Sequence, residues 1–196
     1  MGRIAARLPL PPGCFSTLFR ADDRYLETYF SRFPGHYDTM DAGTKDADGY
    51  IKVMARDDDV INVAGHRLST GALEEVLLGH PGVADAAVIG VNDALKGQVP
   101  LGLIVPRAAF ADADLEQELV ARVRADVGAV AAFRMVVRVE ALPRTRSGKT
   151  ARKTISDLAN GKAVKIPPTI EDPGVYTGIK RALNRLGYAL GAPDPA

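Results

Sequence analysis

The sequence is poor in cysteine and in aromatic residues, with one cysteine, no tryptophan and 6% Phe, Trp and Tyr among its 196 residues. A single cysteine excludes an internal disulfide, and the three histidines are too scattered to form the ligand pairs of a structural zinc site. No apolar run reaches the length of a membrane span, and residues 1–10 contain too short an apolar stretch for a signal sequence. These absences predict a reducing, intracellular setting without a membrane partner: the cytoplasm, or the mitochondrial matrix in a eukaryote.

The chain also lacks an excess of either charge. Lys and Arg number 25 against 24 Asp and Glu, which gives a net charge of +1. Nucleic-acid binders gain much of their affinity from summed neutralisation of phosphates, so this balance argues against a nucleic-acid partner. With 46% apolar residues, the chain is large enough to bury a core in one or two small domains.

Periodicity and turn residues predict an α+β fold, a small sheet covered by helices, preceded by a β-rich segment. Residues 24–54 are rich in aromatics and turn signals, which indicates hairpin and loop structure, and the charged run 56–59 predicts a domain boundary near Asp58. Strands are predicted at 60–63, 83–90, 99–105 and 133–139. Helices are predicted to begin at Ser69 or Thr70 and at Asp112 or Asp114, and to cover 150–158 and 175–190.

The most informative motif is Leu142–Thr150 (LPRTRSGKT), which places Lys149 on a glycine-containing turn between an apolar strand and a helix. A Walker A phosphate loop needs glycine five residues before its Gly-Lys pair, and this chain has Pro143 there. The amide cradle for a triphosphate is therefore missing. A lysine on such a turn is instead suited to reach an anion.

Together with residues 56–68 (RDDDVINVAGHRL), this motif resembles the C-terminal part of the adenylate-forming acyl-CoA synthetases. The match is best to the short-chain group, the acetyl- and propionyl-CoA synthetases, and residues 94–100 and 165–173 favour the propionyl branch. The resemblance implies that residues 1–57 end a large N-terminal AMP-binding domain. It further implies that 58–162 form a mobile C-terminal domain and 163–196 a terminal extension with a helix.

The resemblance also implies roles in binding the nucleotide and in catalysis. Lys149 matches the catalytic lysine, which protein acetyltransferases modify and deacetylases restore. Asp41 would bind the ribose of ATP, although the family's usual Thr-Gly-Asp is here Thr-Met-Asp, and Arg56 and Arg67 would contact the nucleotide. Asp58 matches the hinge between the domains. Without the resemblance, Asp41 would be a solvated turn residue and Asp58 part of a solvated charge run.

Two further residues match positions that face CoA. Gly65 would line the pantetheine tunnel, in a tight turn where glycine lets a ligand approach the backbone. Arg124 would contact the CoA nucleotide, with a solvated helix arginine as the alternative. Since His66 has no acidic or nucleophilic partner in the sequence, it is interpreted as structural.

The implied reaction joins a short-chain carboxylate to CoA through an acyl-adenylate, with ATP and Mg²⁺ consumed or bound on the way. The family's Ser/Thr/Gly-rich phosphate loop and acidic magnesium ligand do not occur in these 196 residues. We therefore expect a fragment, a truncated reading frame or one half of a split enzyme, inactive without the N-terminal domain.

The alternative is a module without catalytic activity. Arg144, Arg146, Lys149, Arg152 and Lys153 form a basic cluster in the sequence that could bind nucleic acid or an acidic partner. The cluster lacks interleaved aromatics, which argues against single-stranded nucleic acid. A regulatory remnant that docks on an intact synthetase is a third interpretation.

Overall fold

The computed structural model describes residues 2–57 and 59–196, together with the backbone of Asp58. The chain divides into two compact units, Met1–Asp58 and Asp59–Ala196. Among the described residues, no helix has both the length and the apolar character that crossing a membrane requires.

The first unit is a three-stranded antiparallel sheet with one helix. Strands β1 (Gly2–Arg7), β2 (His36–Lys45) and β3 (Ile51–Arg56) lie in the order β1-β2-β3, and helix α1 (Asp22–Phe30) precedes β2. The predicted hairpin is present as β2 and β3, but α1 and β1 were not predicted.

Helix α1 was not predicted because the residues that pack it against the sheet are aromatic, and aromatic residues are enriched in β-strands. Tyr25 is buried with its ring 5.1 Å from that of Phe15, and Tyr29 stacks on Tyr37 with ring centroids 5.3 Å apart. Ring packing of this kind stabilises the helix against β2 although its sequence resembles hairpin structure.

The second unit is a five-stranded sheet covered by helices, which confirms the predicted α+β class. Its strands are β4 (Val60–Val63), β5 (His66–Ser69), β6 (Val83–Asp93), β7 (Gly97–Pro106) and β8 (Met135–Arg138). The order is β5-β4-β7-β6, and β8 pairs in parallel with β7. The helices are α2 (Thr70–Leu78), α3 (Glu116–Asp126), α4 (Arg152–Ala159) and α5 (Val175–Arg185).

Three helix boundaries differ from the predicted ones, each for a local reason. Helix α3 begins at Glu116 rather than at Asp112 or Asp114, because the guanidinium of Arg138 binds the carbonyls of residues 111 and 113. Helix α4 begins at Arg152, because Thr150 is still paired with Arg144 in an isolated bridge. Helix α5 ends at Arg185, and Gly187 follows with φ +83°.

The core of the second unit lies between the sheet and its helices. Strands β6 and β7 pair over their whole length, from Val83 opposite Pro106 to Asp93 opposite Gly97. The predicted terminal extension also packs here, since Ile179 and Leu183 of α5 are buried in the same apolar cluster. Residues 163–196 are therefore part of the second unit.

Candidate active site

The predicted catalytic lysine lies in a closed hairpin, residues 144–150, which we call the lysine loop. The amide of Thr145 donates to the carbonyl of Lys149 at 2.9 Å, and the amide of Gly148 donates to the carbonyl of Thr145 at 2.7 Å. Gly148 has φ +80°, a conformation that glycine adopts without steric cost. Lys149 itself is exposed. The loop is thus a tight turn with a cationic side chain on its surface.

Arg144 fixes the loop to the sheet. Its Nη2 donates to both carboxylate oxygens of Asp85 in β6, at 2.6 and 2.8 Å. Its Nη1 donates to the carbonyl of Gly148 at 2.7 Å, directly before Lys149. Charge-assisted bonds of this kind are short and directional, so they restrict the loop more than a neutral contact would.

A second turn, residues 63–66, carries the predicted pantetheine-facing glycine, and we call it the glycine turn. Val63 pairs with His66, and the two residues between them, Ala64 and Gly65, have φ of +48° and +89°. Positive φ at both central positions is typical of a two-residue hairpin turn of type I′. A Cβ on Gly65 would meet no atom within 4 Å, so backbone conformation, rather than crowding, requires glycine there.

Arg67 is exposed in β5, opposite Asn62 of β4, and so follows the turn instead of lying within it. His66 begins the same strand and is also exposed. Strand β5 was not predicted, because four residues directly after a two-residue turn are too few to show a clear alternation of apolar and polar residues.

The lysine loop and the glycine turn lie at opposite ends of β7. At one end, Val63 pairs with Gly97, and the amide of Ala64 donates to the carbonyl of Lys96 at 2.9 Å. At the other end, Asp85, which holds the lysine loop, pairs with Val105. The eight residue steps from 97 to 105, at roughly 3.3 Å each, separate these levels by about 26 Å.

A buried ion pair lies between the two ends. Glu74 of α2 is only 6% exposed, and its Oε1 accepts bonds from the amide of Val88 at 2.8 Å and from Nε of Arg152 at 2.6 Å. Nη2 of Arg152 reaches the other oxygen of Glu74 at 2.6 Å, and Nη1 lies 3.9 Å from Asp59. The bond to Glu74 raises the pKa of Arg152, against the lowering effect of burial. Helix α4 is thereby tied to the residue that follows the predicted hinge.

The predicted hinge residue, Asp58, lies outside the residues whose side chains the structure describes. Its backbone is in the short 3₁₀ turn Asp57–Asp59, between β3 and β4. The hinge role remains a prediction.

The first unit brings its two predicted nucleotide residues together. Asp41 of β2 pairs with Arg56 of β3, so Asp41 lies in an irregular strand rather than in a loop. Met40, where the family usually has glycine, has φ +61°. Its amide donates to Oδ1 of Asp38 at 2.9 Å, which stabilises this left-handed conformation. The substitution of methionine therefore keeps a backbone shape that favours glycine.

Arg124 is exposed near the end of α3 and lines a cavity of about 180 Å³. A second cation, Arg134, lines the same cavity, together with apolar residues such as Val120 and Phe133. Two guanidinium groups at one cavity suit an anionic ligand better than an isolated helix arginine does. Among the described residues, no cluster of three or more His, Cys, Asp or Glu could hold a metal ion.

Two supporting residues, Asp85 beneath the lysine loop and Glu74 beside α4, were not among the predicted site residues. Asp85 is the only charged residue between Val83 and Val91, in a run of otherwise apolar or small residues. A single carboxylate in a buried strand needs a partner, so the sequence does indicate an ion pair at this position. Glu74 gave a weaker signal, because a glutamate in the first turns of a helix is common.

Comparison with known proteins matches residues 72–149 to the family described as AMP-binding enzyme C-terminal domain. The matched segment runs from α2 to Lys149, so it contains β6, β7 and most of the lysine loop.

Relatives extend the similarity on both sides of this domain and confirm the resemblance to short-chain acyl-CoA synthetases. Acyl-CoA synthetase short-chain family member 3, mitochondrial, of Mus musculus is 51% identical over 187 residues, 94% of this chain and 27% of that protein. Propionate–CoA ligase of Escherichia coli is 42% identical over 189 residues, 93% of this chain and 30% of that protein. The chain therefore spans less than a third of the length of these curated relatives.

Solved structures show the same fold. The amide bond synthetase McbA of Marinactinospora thermotolerans matches with a TM-score of 0.61 and 31% identity, over 79% of this chain and 30% of that one. The ATP-bound RpMatB-BxBclM chimera B1 matches with a TM-score of 0.62 and 25% identity, over 79% of this chain and 33% of that one.

Proposed function

We propose that this chain is the C-terminal portion of a short-chain acyl-CoA synthetase that converts propionate or acetate, ATP and CoA into acyl-CoA, AMP and pyrophosphate. The carboxylate first attacks the α-phosphate of ATP to give the acyl-adenylate and pyrophosphate. The CoA thiol then attacks the acyl carbon and releases AMP. The 42% identity to a propionate–CoA ligase supports the propionyl branch.

The observation that carries the proposal is the placement of the lysine loop and the glycine turn at opposite ends of β7, whose Gly97 and Val105 levels are about 26 Å apart along the strand. One bound acyl-adenylate cannot touch both ends at once. A rotation of the C-terminal domain about Asp58 presents Lys149 for adenylation and the Gly65 face for thioester formation. Domain rotation about a short hinge is a common way to present two surfaces to one site.

In the adenylating state, Lys149 stabilises charge that develops on the carboxylate and α-phosphate oxygens. One well-placed donor contributes roughly 3 to 4 kcal/mol to such a step, about a hundredfold to a thousandfold in rate. Asp41 accepts hydrogen bonds from the ribose hydroxyls, and Arg56 contacts the nucleotide from the neighbouring strand.

In the thioester-forming state, the open space at Gly65 admits the pantetheine arm, and Arg67 contacts phosphate. The cavity shared by Arg124 and Arg134 binds the CoA nucleotide, whose phosphates match two cations. The N-terminal domain of the same enzyme supplies most of the Mg²⁺ ligands and the rest of the active site. We place the enzyme in the cytoplasm, or in the mitochondrial matrix of a eukaryote.

Acylation of Lys149 by a protein acetyltransferase removes its positive charge and switches adenylation off, and a deacetylase restores it. The exposure of Lys149 on a surface turn supports this regulation. Normal adenylation by protein that is fully acetylated at Lys149 would refute it.

The decisive experiment is Lys149→Ala in the synthetase completed with its N-terminal domain. We expect pyrophosphate exchange to fall about a hundredfold to a thousandfold, while thioester formation from supplied acyl-adenylate stays within about twofold. Lys165→Ala is the matched control, since Lys165 is exposed outside the lysine loop. Equal loss of both half-reactions would contradict the role of Lys149.

The alternative binding module is disfavoured because ion pairs neutralise much of the basic cluster. Arg144 is paired with Asp85, Arg152 with Glu74 and Lys153 with Asp157. A titration with RNA at increasing salt tests this alternative, and we expect no specific binding at physiological salt.

A further inference from the structure

The lysine loop pairs with a distant part of the chain, residues 169–171, which we call the tail segment. The amide of Arg146 donates to the carbonyl of Thr169 at 2.9 Å, and the amide of Glu171 donates to the carbonyl of Arg144 at 2.9 Å. Thr145 and Ile170 form an antiparallel bridge between these two bonds. The first arm of the lysine loop is therefore hydrogen-bonded on both edges, to the tail segment and to its own second arm.

The tail segment is itself held by the core of the domain. Ile170 is 5% exposed within the apolar cluster, and its amide donates to the carbonyl of Pro167 at 3.0 Å. Helix α5 begins four residues after Glu171 and buries Tyr176, whose hydroxyl contacts that of Thr154 in α4 at 2.5 Å. The tail segment is thus fixed on both sides of its contact with the loop.

Arg144 connects these supports to the peptide bond before Lys149. Its carbonyl accepts the bond from Glu171, while its guanidinium spans from Asp85 to the carbonyl of Gly148. That carbonyl belongs to the peptide unit that joins Gly148 to Lys149. The orientation of this peptide plane consequently depends on β6 and on the tail segment.

We propose that the tail segment, Arg144 and Asp85 position Lys149 for the adenylation step, an inference that rests on the proposed function. These residues contact Lys149's loop rather than substrate, so they act as positioning residues. An exposed loop without such support samples many conformations, and a displacement of about 1 Å at a reacting group can cost about a hundredfold in rate. The hydrogen bonds to the tail segment and to Asp85 hold the loop in one conformation before the domain closes on ATP, so this loss of rate is avoided.

The test removes one backbone hydrogen bond, from the amide of Glu171 to the carbonyl of Arg144. Glu171→Pro removes the N–H that bonds to Arg144, whereas Glu171→Ala keeps it and removes only an exposed side chain. In the completed synthetase, we expect Glu171→Pro to lower kcat for pyrophosphate exchange about tenfold to a hundredfold. KM for ATP and thioester formation from supplied acyl-adenylate should stay within about twofold, and Glu171→Ala should match the wild type.

A second variant and a second readout separate positioning from folding. Asp85→Asn weakens the other support, so it should lower pyrophosphate exchange about tenfold while thioester formation is retained. Hydrogen exchange on the 196-residue chain should show faster exchange at the amides of Gly148 and Lys149 in Glu171→Pro than in Glu171→Ala. This readout needs no enzymatic activity.

Three results would overturn the inference. The first is unchanged hydrogen exchange at Gly148 and Lys149 in Glu171→Pro, and the second is faster hydrogen exchange there with adenylation as fast as in Glu171→Ala. The third is equal loss of both half-reactions in Glu171→Pro, since that marks a general structural role. The proposed function fails by a different result, namely normal adenylation by Lys149→Ala. The two failures are therefore distinguishable.

Discussion

The two ends of β7 carry the two predicted reactive surfaces, and they are built in different ways. The glycine turn is mostly local: strands β4 and β5 pair from Val60 opposite Ser69 to Val63 opposite His66, and a two-residue turn joins them. Its distant contacts are with the start of β7, at Lys96 and Gly97. The lysine loop depends on partners far away in sequence, Asp85 in β6 and the tail segment at 169–171. One end is a hairpin that ten consecutive residues define, and the other is an assembly of three segments.

This difference matches the chemistry that we propose for each end. A surface that lets a flexible pantetheine arm pass needs an open backbone and little else. A single ammonium group that must meet a transition state needs a fixed position, because its electrostatic effect depends on distance and angle. Tertiary contacts supply that rigidity at the lysine end. The comparison can be tested by disturbing each end separately.

The largest effect on stability is expected from Arg152→Ala, which leaves the carboxylate of Glu74 buried without its cationic partner. Breaking a buried pair in this way costs about 3 kcal/mol, the lower end of the usual range, because Arg152 is partly exposed. Urea denaturation of the chain measures the loss. Lys153→Ala is the control, since its exposed pair with Asp157 contributes less than about 1 kcal/mol.

Hydrogen exchange on the same variant sharpens the comparison. Arg152 follows the lysine loop directly and begins α4, so amides of residues 145–155 should exchange faster. Amides of the glycine turn should change less, because its bonds are within its own hairpin and to Lys96. Equal loosening of both ends would show that the domain opens as one unit and that the two ends are not independent.

The same contrast explains what the sequence could predict. Strands β6 and β7, helix α2 and the glycine turn have clear periods or turn residues within short windows, and their predicted positions agree with the structure to within a few residues. The motif around Lys149 indicated a candidate catalytic residue. It could not reveal that Arg144 bonds to Asp85, 59 residues away, because no local pattern encodes a contact between distant segments.

The first unit shows a second limit. Helix α1 is stabilised by ring packing against β2, and the pairing of β1 with β2 joins residues about 40 positions apart, such as Gly2 and Gly43. Neither interaction produces a periodic pattern of residues in the sequence. The pairing of Asp41 with Arg56 was not predicted either, because Arg56 lies beyond the predicted hairpin region and next to a bulge between Ala42 and Gly43.

Single substitutions in the glycine turn should change the stability of the fold by an intermediate amount. Gly65→Ala places a Cβ at φ +89°, which costs about 1 to 2 kcal/mol, whereas Ala64→Gly relieves strain at φ +48°. Thermal unfolding should therefore shift in opposite directions for these adjacent substitutions. In the completed synthetase, Gly65→Ala should slow thioester formation more than adenylation. If it slowed only adenylation, the assignment of the two surfaces to the two ends would be reversed.

The smallest expected effect is on the stability of the fold at acid pH, which should respond differently at the two ends of β7. Arg138 closes β8, the strand that leads to the lysine loop, and its Nε and Nη2 donate to the carboxylate of Glu116 at 2.6 and 2.8 Å. These bonds hold the pKa of Glu116 below its usual value of 4.5. A carboxylate with a lowered pKa stabilises the fold above its unfolded pKa, and this stability is lost as pH falls below about 4.5 through the folded value.

Glu116→Gln should consequently destabilise the chain by less than about 1 kcal/mol at pH 7, because the pair is partly exposed. The difference from the wild type should shrink as the pH is lowered through about 4.5, since the wild-type carboxylate then becomes neutral as well. Glu140→Gln, which replaces an exposed carboxylate nearby, is the matched control in the same thermal melts. The glycine turn has no carboxylate of its own, but it bonds to Lys96, whose amide and that of Leu95 donate to Asp93 and lower the pKa of that carboxyl. The test is therefore made on the variant: Glu116→Gln should raise hydrogen exchange at residues 135–150 and leave the glycine turn unchanged. Faster exchange at the glycine turn in Glu116→Gln would mean that the two ends share one network of support.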